Sequence, residues 1–530
     1  MTAQALALPT QQTDVAIIGG GLAGLTMAIQ LKQLDPDFDV VVLERRRHPV
    51  PISAHKVGES TVEIGAHYLA DRLGQRPYLE TQQLSKFGLR FFFGSPDGDL
   101  SKADEFGASH VLPVHSFQID RGQFENHLAK AAAELGVEFR DHTVVNGVDV
   151  ADAAHHLNYL SDEGRGKIRS HWLVDAASRK SPIKKSRSLA RDNNHDCYAV
   201  WFRVEETIDV DDWSSDAEWQ ERCGHRKRRF STNHLMGQGY WIWIIPLASG
   251  ATSIGIVASP EHHDWKALRN HDATMHWLGK HQPRCAEALA GAKPMDFHFM
   301  RRYSHDCEQV FSAQRWGLTG EAGVFLDPYY SPGTDFIAIG NCLLSDLIVR
   351  ERRGEDIRAR NAIYQQLYFS FCRNTLDLVV GQYGGFGDRH LMSLKTVWDF
   401  AYYWGVLALL YTNDALTDLE FMRDAESELL TVQKTGRHMQ SLFRARAAKA
   451  LVLPHDGRFV DQAAIPVVSR LNGELRDSLR GEALRVRLIT NIALLQDVAR
   501  LVEDLLVNGT DGSVGSRERE ILGNLRQDLA

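Results

Sequence analysis

The sequence predicts an α/β fold, and three consecutive observations carry that prediction. Asp14–Ile18 (D-V-A-I-I) is a short β-rich run. It opens into a glycine cluster and then an amphipathic stretch, Leu22 to Leu34. A second apolar run, Asp39 to Leu43, follows and ends on Glu44. Strand period, helix period and strand period in that order make a β-α-β unit.

Later elements extend the pattern. Arg121 to Leu135 reads as a helix, Val137 to Arg140 as the strand after it, and His171 to Ala176 as another buried strand. Tyr240 to Pro246 and Thr252 to Ala258 read as paired strands of a different sheet, joined by the turn Ala248-Ser249-Gly250. From Thr334 the character changes. Long apolar periodic stretches (Thr334 to Arg350, Leu391 to Tyr411, Ala483 to Leu505) predict a mostly helical C-terminal region. Ile465 to Leu479 gives no clear period, and Asn508 to Ser516 reads as a loop before a short charged helix.

Composition narrows the function classes. Hydrophobic residues make up 44% and charged residues 24%, a globular profile. The net charge of -8 argues against nucleic-acid binding. Six cysteines at 197, 223, 285, 307, 342 and 372 form no C-x-x-C, so neither a metal site nor a disulfide framework is expected. The N-terminus has no basic region before an apolar core, and the longest apolar stretch, Val397 to Tyr411, is too short to span a bilayer. A cytoplasmic protein without a membrane span is the expectation.

Gly19, Gly21 and Gly24 form G-x-G-x-x-G between the first strand and helix. The first glycine makes the tight turn, the second admits a pyrophosphate, and the third packs helix on strand. Free N–H groups at the helix start then face the phosphates. Glu44, 20 residues after Gly24, is placed to accept from the adenosine ribose, with Arg45 beside it.

Further residues point to a flavin. Asp120-Arg121-x-x-Phe124 opens a helix, and Gly320-Glu321-Ala322 precedes Asp327-Pro328. Both resemble motifs of two-dinucleotide-binding flavoproteins, with Arg121, Glu321 and Asp327 as FAD contacts. Glu321 stands where that family usually has Asp. Asp175-Ala176-Ala177-Ser178-Arg179 resembles another of its motifs but lacks a glycine.

Four motifs resemble the flavin-dependent halogenases. Trp241-Ile242-Trp243-Ile244-Ile245-Pro246 matches their W-x-W-x-I-P signature. Spacing i, i+2 puts both tryptophans on one strand face. The resemblance implies that they shield the flavin from substrate. Gly58-Glu59-Ser60 resembles the family's flavin-side triplet, and Lys86-Phe87-Gly88-Leu89-Arg90-Phe91 its active-site lysine segment. That assigns Lys86 as the catalytic amine that receives hypohalous acid, a task suited to a poorly solvated Lys. Asp327-Pro328-Tyr329-Tyr330-Ser331-Pro332-Gly333 resembles the halide-binding helix start. Ser331, Gly333 and Thr334 are the implied halide residues, since Pro332 lacks an N–H. Tryptophan halogenases carry Glu at the position of Tyr330, so the likeness runs closer to phenol and pyrrole halogenases.

The resemblance covers about residues 14 to 350. It implies an α/β core, 1–350, with a dinucleotide-binding FAD fold and an inserted substrate-side sheet (about 85–120 and 195–310). A helical region, 351–530, covers the substrate pocket. The implied activity uses FADH2, O2 and chloride or bromide to make hypohalous acid and halogenate an electron-rich aromatic. A separate NAD(P)H-flavin reductase is expected, because no second nucleotide fingerprint occurs. Clustered aromatics (Trp398, Phe400, Tyr402, Tyr403, Trp404, Tyr411, and Phe91 to Phe93) suit an aromatic pocket. His110 and His115 lie near Lys86 without metal-ligand spacing. Two basic stretches, Arg179 to Arg191 and Arg222 to Arg229, are candidate docking sites for a carrier protein bearing the substrate. Two other readings stand beside this one: an FAD-dependent aromatic hydroxylase, and a non-catalytic flavin-binding protein.

Overall fold

A computed structural model describes residues 10–53, 56–94, 98–224, 226–449, 455–510 and 514–530. The β-α-β unit forms as the sequence predicts. Thr10–Ile18 and Val40–Leu43 are neighbouring parallel strands, and Leu22–Leu34 is the helix between them. Val40–Leu43 is buried throughout, as a parallel strand covered on both faces must be. Gly164–Asp175 pairs in parallel with the other side of Thr10–Ile18, and Trp316–Leu318 pairs in parallel with it in turn. Glu138–Arg140 extends the opposite edge. An antiparallel arm, Val144–Asp149 and His155–Ser161, folds back along Gly164–Asp175.

The second sheet runs in the order His298–Arg301, Tyr198–Val204, Thr252–Ala258, Tyr240–Pro246, Thr232–Gly237, Leu89–Phe93, Asp104–Gly107 and Phe459–Asp461. Its pairing is antiparallel except at two places, Thr232–Gly237 against Leu89–Phe93 and Phe459–Asp461 against Asp104–Gly107. The last strand comes from the C-terminal region, which is therefore not purely helical. Its Phe400, Tyr403 and Trp404 line the cavity that also holds Lys86. Arg389–Tyr402 continues through a widened π turn, Tyr403–Ala408, into Leu409–Thr412. Sequence period alone reads this as one unbroken stretch, because a π turn adds a residue without changing composition. The unclear segment after Ile465 becomes helix Pro466–Glu474. Of the loop expected over 508–516, residues 511–513 lie outside the described residues.

The strand Tyr240–Pro246 divides two hydrophobic cores. Trp241, Trp243 and Ile245 join the large core shared with the first sheet and the C-terminal helices. Tyr240, Ile242 and Ile244 join a smaller core on the outer face with Trp213, Trp219 and Trp277. The period-2 alternation of a strand sends the two tryptophans to the same inner side.

Candidate active site

The glycine turn has the shape a dinucleotide needs. Gly19 has φ +107°, and a Cβ there would lie 2.6 Å from the Ala176 carbonyl oxygen. A Cβ at Gly24 would lie 1.9 Å from the Gly19 carbonyl oxygen, so helix and turn touch backbone to backbone. At Gly21 the group met is the flexible Lys56 ammonium, at 2.6 Å. Helix Leu22–Leu34 begins here, its first N–H groups turned toward the cradle. These residues fit FAD, whose pyrophosphate needs this close backbone approach.

Glu44 is drawn into the turn itself. Its Oε2 accepts from Gly20 N–H at 2.7 Å and its Oε1 from Arg46 N–H at 2.8 Å. Arg45 is exposed. Arg121 donates to the Val57 carbonyl at 2.7 Å and to Glu125 Oε1 at 2.5 Å. Gly58, at φ +94°, makes room for it: a Cβ there would lie 2.7 Å from Arg121 Nη1. The sequence reading passed over Glu125. Its buried carboxylate also accepts from Leu22 N–H at 3.2 Å and meets Lys56 Nζ at 3.2 Å. The signal was available, since Glu125 follows Phe124 directly in the Arg121 motif.

Two expected flavin-side residues have other partners for their side chains. Glu59 pairs with Arg203 at 2.6 Å, and Arg203 also meets Asp296 at 2.6 Å, with both Glu59 and Arg203 buried. The Ser60 hydroxyl bonds that of Thr232 at 2.8 Å. Both side chains fasten the first sheet's loop to the second sheet. Sequence gave no hint of Arg203, because nothing local marks a long-range ion-pair partner.

Glu321 sits on the short turn Gly320–Ala322 and accepts from the Ser178 hydroxyl at 2.5 Å. Asp175 caps the facing loop through Ala177 N–H, Ser181 and Ile183 N–H, and burial pushes its carboxyl up to about 6. Asp327 is spent on protein groups. Its Oδ2 takes His195 at 2.6 Å and the Tyr303 and Tyr383 hydroxyls at 2.7 Å each, while Oδ1 takes Tyr329 N–H at 2.9 Å. Burial works against its charge, but His195 and Tyr303 hold it below the usual carboxylate range. Cys197 lies within 4.8 Å of the His195 and Asp327 ligand atoms, a buried trio of metal-binding type. The close His195–Asp327 bond makes it a hydrogen-bonded cluster. It supports Trp241, whose indole N–H donates to Tyr383 at 3.1 Å. Trp243 donates to Ser253 at 3.2 Å.

Lys86 is buried, at 2% exposure, in the link between Leu84–Ser85 and Leu89–Phe93. Its backbone is pinned by Lys86 N–H to Ser116 O and Phe87 N–H to Phe230 O, both 2.9 Å. Its ammonium donates to Thr61 O at 2.7 Å. Burial pulls the amine down to about 7, against the opposing pull of Glu63 and Asp335. Asp335 accepts from Gly65 N–H at 2.8 Å and from the Tyr403 hydroxyl at 2.7 Å, and burial lifts it to about 7. Burial likewise raises Glu63.

These groups line one cavity of about 990 Å³, including its open part. Its walls also carry Phe87, Leu89, Tyr329, Tyr330, Pro332, Phe336, Phe400, Trp404 and Leu407. Lys86 thus shares the cavity with Tyr329, Tyr330 and Pro332 of the segment expected to hold halide, whereas Ser331, Gly333 and Thr334 themselves are not among its lining residues. Tyr330 and Ser331 both have left-handed backbone, φ +65° and +60°, just before helix Gly333–Arg352. Two such residues without glycine are costly and persist only where surroundings enforce them. Thr334 is buried against Gly65, where a Cβ would come within 2.8 Å of it, and Gly333 is exposed. Of the expected aromatics, Phe400, Tyr403 and Trp404 line the cavity. Phe91 to Phe93, Trp398, Tyr402 and Tyr411 pack elsewhere. His110 and His115 line it too.

In the basic stretch Arg222 to Arg229, Arg226 and Lys227 are exposed, Arg222 and Arg229 are half-buried, and Arg228 does not belong to the open surface expected of the stretch. Arg228 is wholly buried, paired with Glu105 and Asp211, and Arg226 binds Asp209 and Asp212. Arg228 serves the fold, because the buried acids Glu105 and Asp211 need a cation. His225 lies outside the described residues.

Residues 12–288 match the family model described as FAD binding domain. The chain belongs to the FAD-binding domain family. Among curated relatives of this flavoprotein is the flavin-dependent halogenase chlA of Dictyostelium discoideum, 26% identical over 75% of this chain and 70% of the relative. A brominase of 1H-pyrrole-2-carbonyl on a peptidyl-carrier protein, from Pseudoalteromonas luteoviolacea, is 26% identical over 65% and 79%. The solved structure of halogenase PltM with phloroglucinol and FAD aligns over 98% of this chain and 99% of that one, with TM-score 0.67 and 19% identity. The flavoprotein is thus an oxidoreductase of the flavin-dependent halogenase kind, with FAD as cofactor. Among the described residues no helix is long and apolar enough to cross a membrane.

Proposed function

We propose that this flavoprotein halogenates an electron-rich aromatic substrate, with Lys86 as the catalytic amine. The observation that carries the reading is the burial of Lys86 in the same cavity as Tyr329, Tyr330, Pro332, Asp335 and Phe336. When bound, reduced FAD with O2 and chloride or bromide supplies hypohalous acid. The chain's own residues do the rest. The glycine turn at Gly19, Gly21 and Gly24 holds the dinucleotide, with Arg121 and Glu125 ordering the loop beside it. The first N–H groups of helix Gly333–Arg352, with Ser331 before them, suit a halide. Trp241 and Trp243, on the inner face of their strand, shield the flavin from substrate in this reading.

Lys86 holds hypohalous acid at Nζ, by a hydrogen bond or as a haloamine, while Thr61 O fixes the amine's direction. An amine titrating near 7 keeps a lone pair available at neutral pH. The ring carbon then forms its bond to halogen as the halogen's bond to Nζ or oxygen breaks. The ring proton passes to the hypohalous oxygen, which leaves as water, or to Nζ when the halogen came from the haloamine, and Glu63 and Asp335 stand close enough to influence the charge at Lys86 as it does. The apolar remainder of the cavity suits a flat aromatic. Reduced flavin comes from a separate NAD(P)H-flavin reductase, and the substrate is a phenol, a pyrrole or a related ring, free or carried on a carrier protein.

The test is mass spectrometry of phenols, pyrroles and indoles incubated with the enzyme, FAD, a flavin reductase, NADH and either halide. A halogenated product that requires halide is expected. Hydroxylated product independent of halide overturns the reading in favour of a hydroxylase.

A further inference from the structure

The C-terminal region reaches the Lys86 site through one irregular turn. Helix Arg389–Tyr402 widens at Tyr403–Ala408 into a π turn, a feature frequent at functional sites. The buried amide of Asn491, on helix Gly481–Asn508, donates to the Gly405 carbonyl inside this turn at 3.1 Å. The turn opens on Tyr403 and Trp404, and both line the cavity together with Lys86, Glu63 and Asp335.

Helix Glu63–His67 starts after Val62, whose side chain cannot cap it. Its early N–H groups therefore need acceptors from elsewhere. Ile64 N–H donates to the Tyr403 hydroxyl oxygen at 3.0 Å, and Gly65 N–H to Asp335 Oδ1 at 2.8 Å. A backbone N–H can only donate, so the Tyr403 proton goes to Asp335 Oδ2, 2.7 Å away. Both oxygens of Asp335 thus act as acceptors, the arrangement of an ionised carboxylate. Burial opposes that charge, and a buried anion needs a cation. The Lys86 ammonium lines the same cavity, whereas Lys395 is already taken by Asp399 at 2.8 Å. The other titratable groups around Lys86 are Glu63 at the helix start, His234 of the second sheet, and His110 and His115 on the cavity wall. Burial pulls His234 down to about 3 and so keeps it neutral, and it keeps the Tyr329 and Tyr330 hydroxyls protonated.

We propose that Tyr403 is a positioning residue of the active site: it holds Asp335 ionised in the Lys86 cavity, and through that carboxylate sets how tightly the amine keeps its proton. The inference rests on the reading of Lys86 as the catalytic amine and brings the C-terminal region into the apparatus around it. Burial drives the proton off Lys86, and the carboxylate opposes that. The amine thus keeps both forms within reach, one to donate a hydrogen bond to hypohalous acid and one with a free lone pair.

Acetylation of the FAD-loaded enzyme by acetic anhydride, without reductase or halide, tests it. Only the free amine reacts, so labelling of the Lys86 peptide against pH, read by mass spectrometry, gives the midpoint of the amine. Asp335→Asn should lower that midpoint by about one pH unit, an about tenfold weaker hold on the proton. Tyr403→Phe should lower it by about half a unit or more, since a carboxylate that loses a donor takes up a proton more readily. The double variant should shift no further than Asp335→Asn alone, because Tyr403 acts through that carboxylate. A midpoint unmoved or raised in either single variant, shifts that add in the double variant, or a Lys86 that acetylates at no pH overturns the proposal. Both substitutions are close to isosteric, and either single variant decides if the other does not fold. Labelling involves no turnover, so a Lys86 without a catalytic role shows in the product assay and a missing coupling shows here, each readable without the other.

Discussion

The Lys86 ammonium donates to the carbonyl oxygen of Thr61 at 2.7 Å, inside a cavity otherwise lined mainly by aromatic and aliphatic groups. Thr61 itself is fully buried, and its hydroxyl and N–H both bond Phe117 O. The amine is therefore aimed by a rigid backbone rather than by a mobile side chain.

Replacing Lys86 with Met should abolish the halogenated product, by a factor of about 10² or more as expected for a group acting at the reacting atoms. FAD binding should persist, since the glycine turn is built from other residues. Product mass spectrometry and flavin absorbance per protein check the two halves. If Lys86→Met keeps its product yield, the catalytic assignment fails.

The depressed amine sets a pH dependence. Its folded-state value, about 7, lies below the ordinary 10.5 because burial disfavours the ammonium. Neutral amine is scarce below 7, so product formed per flavin oxidised should fall about tenfold for each unit further down. Above 7 the yield should level off. The linkage runs in the same direction. Between about 7 and 10.5 the unfolded chain holds the proton that the folded chain releases, so this group's contribution to stability rises with pH there. Lys86→Met should therefore gain Tm over wild type most clearly below pH 7, with the gain shrinking toward pH 10.5.

Gly24→Ala should purify largely free of FAD. The new methyl carbon would sit 1.9 Å from the Gly19 carbonyl oxygen, with no flexible side chain to give way. Helix and turn must separate, and the cradle for the pyrophosphate goes with them. The ratio of flavin to protein absorbance measures it. Full FAD loading in this variant would remove the cofactor assignment from this turn.

Arg203→Ala should destabilise the protein through the joint between the two sheets. It leaves buried Glu59 without its cation and Asp296 with a broken pair. Breaking a buried pair from one side costs about 3–5 kcal/mol. Thermal unfolding of the FAD-loaded enzyme should shift down by several degrees. An unchanged Tm would show that the pair carries no structural load.

Local pattern made much of the molecule legible. The helix Leu22–Leu34 and the strands Tyr240–Pro246 and Thr252–Ala258 have the bounds their periodicity predicts. Gly19 and Gly24 were readable as backbone contacts because only glycine permits them. The common facing of Trp241 and Trp243 follows from strand period alone.

What pattern left open depends on residues distant in the chain. The partner of Glu59 lies 144 positions away at Arg203, and the charge of Arg228 turns inward to Glu105 and Asp211. The cavity joins Lys86 to Tyr330 and to Asp399, which three separate stretches contribute. Sequence by itself determined the dinucleotide turn and the residue types able to do the chemistry, since each is set by neighbours along the chain. Only the tertiary structure decided which charges are buried together and how far each amine or carboxyl is driven from its ordinary titration. Desolvation and pairing are properties of the packed surroundings, and no single segment contains them.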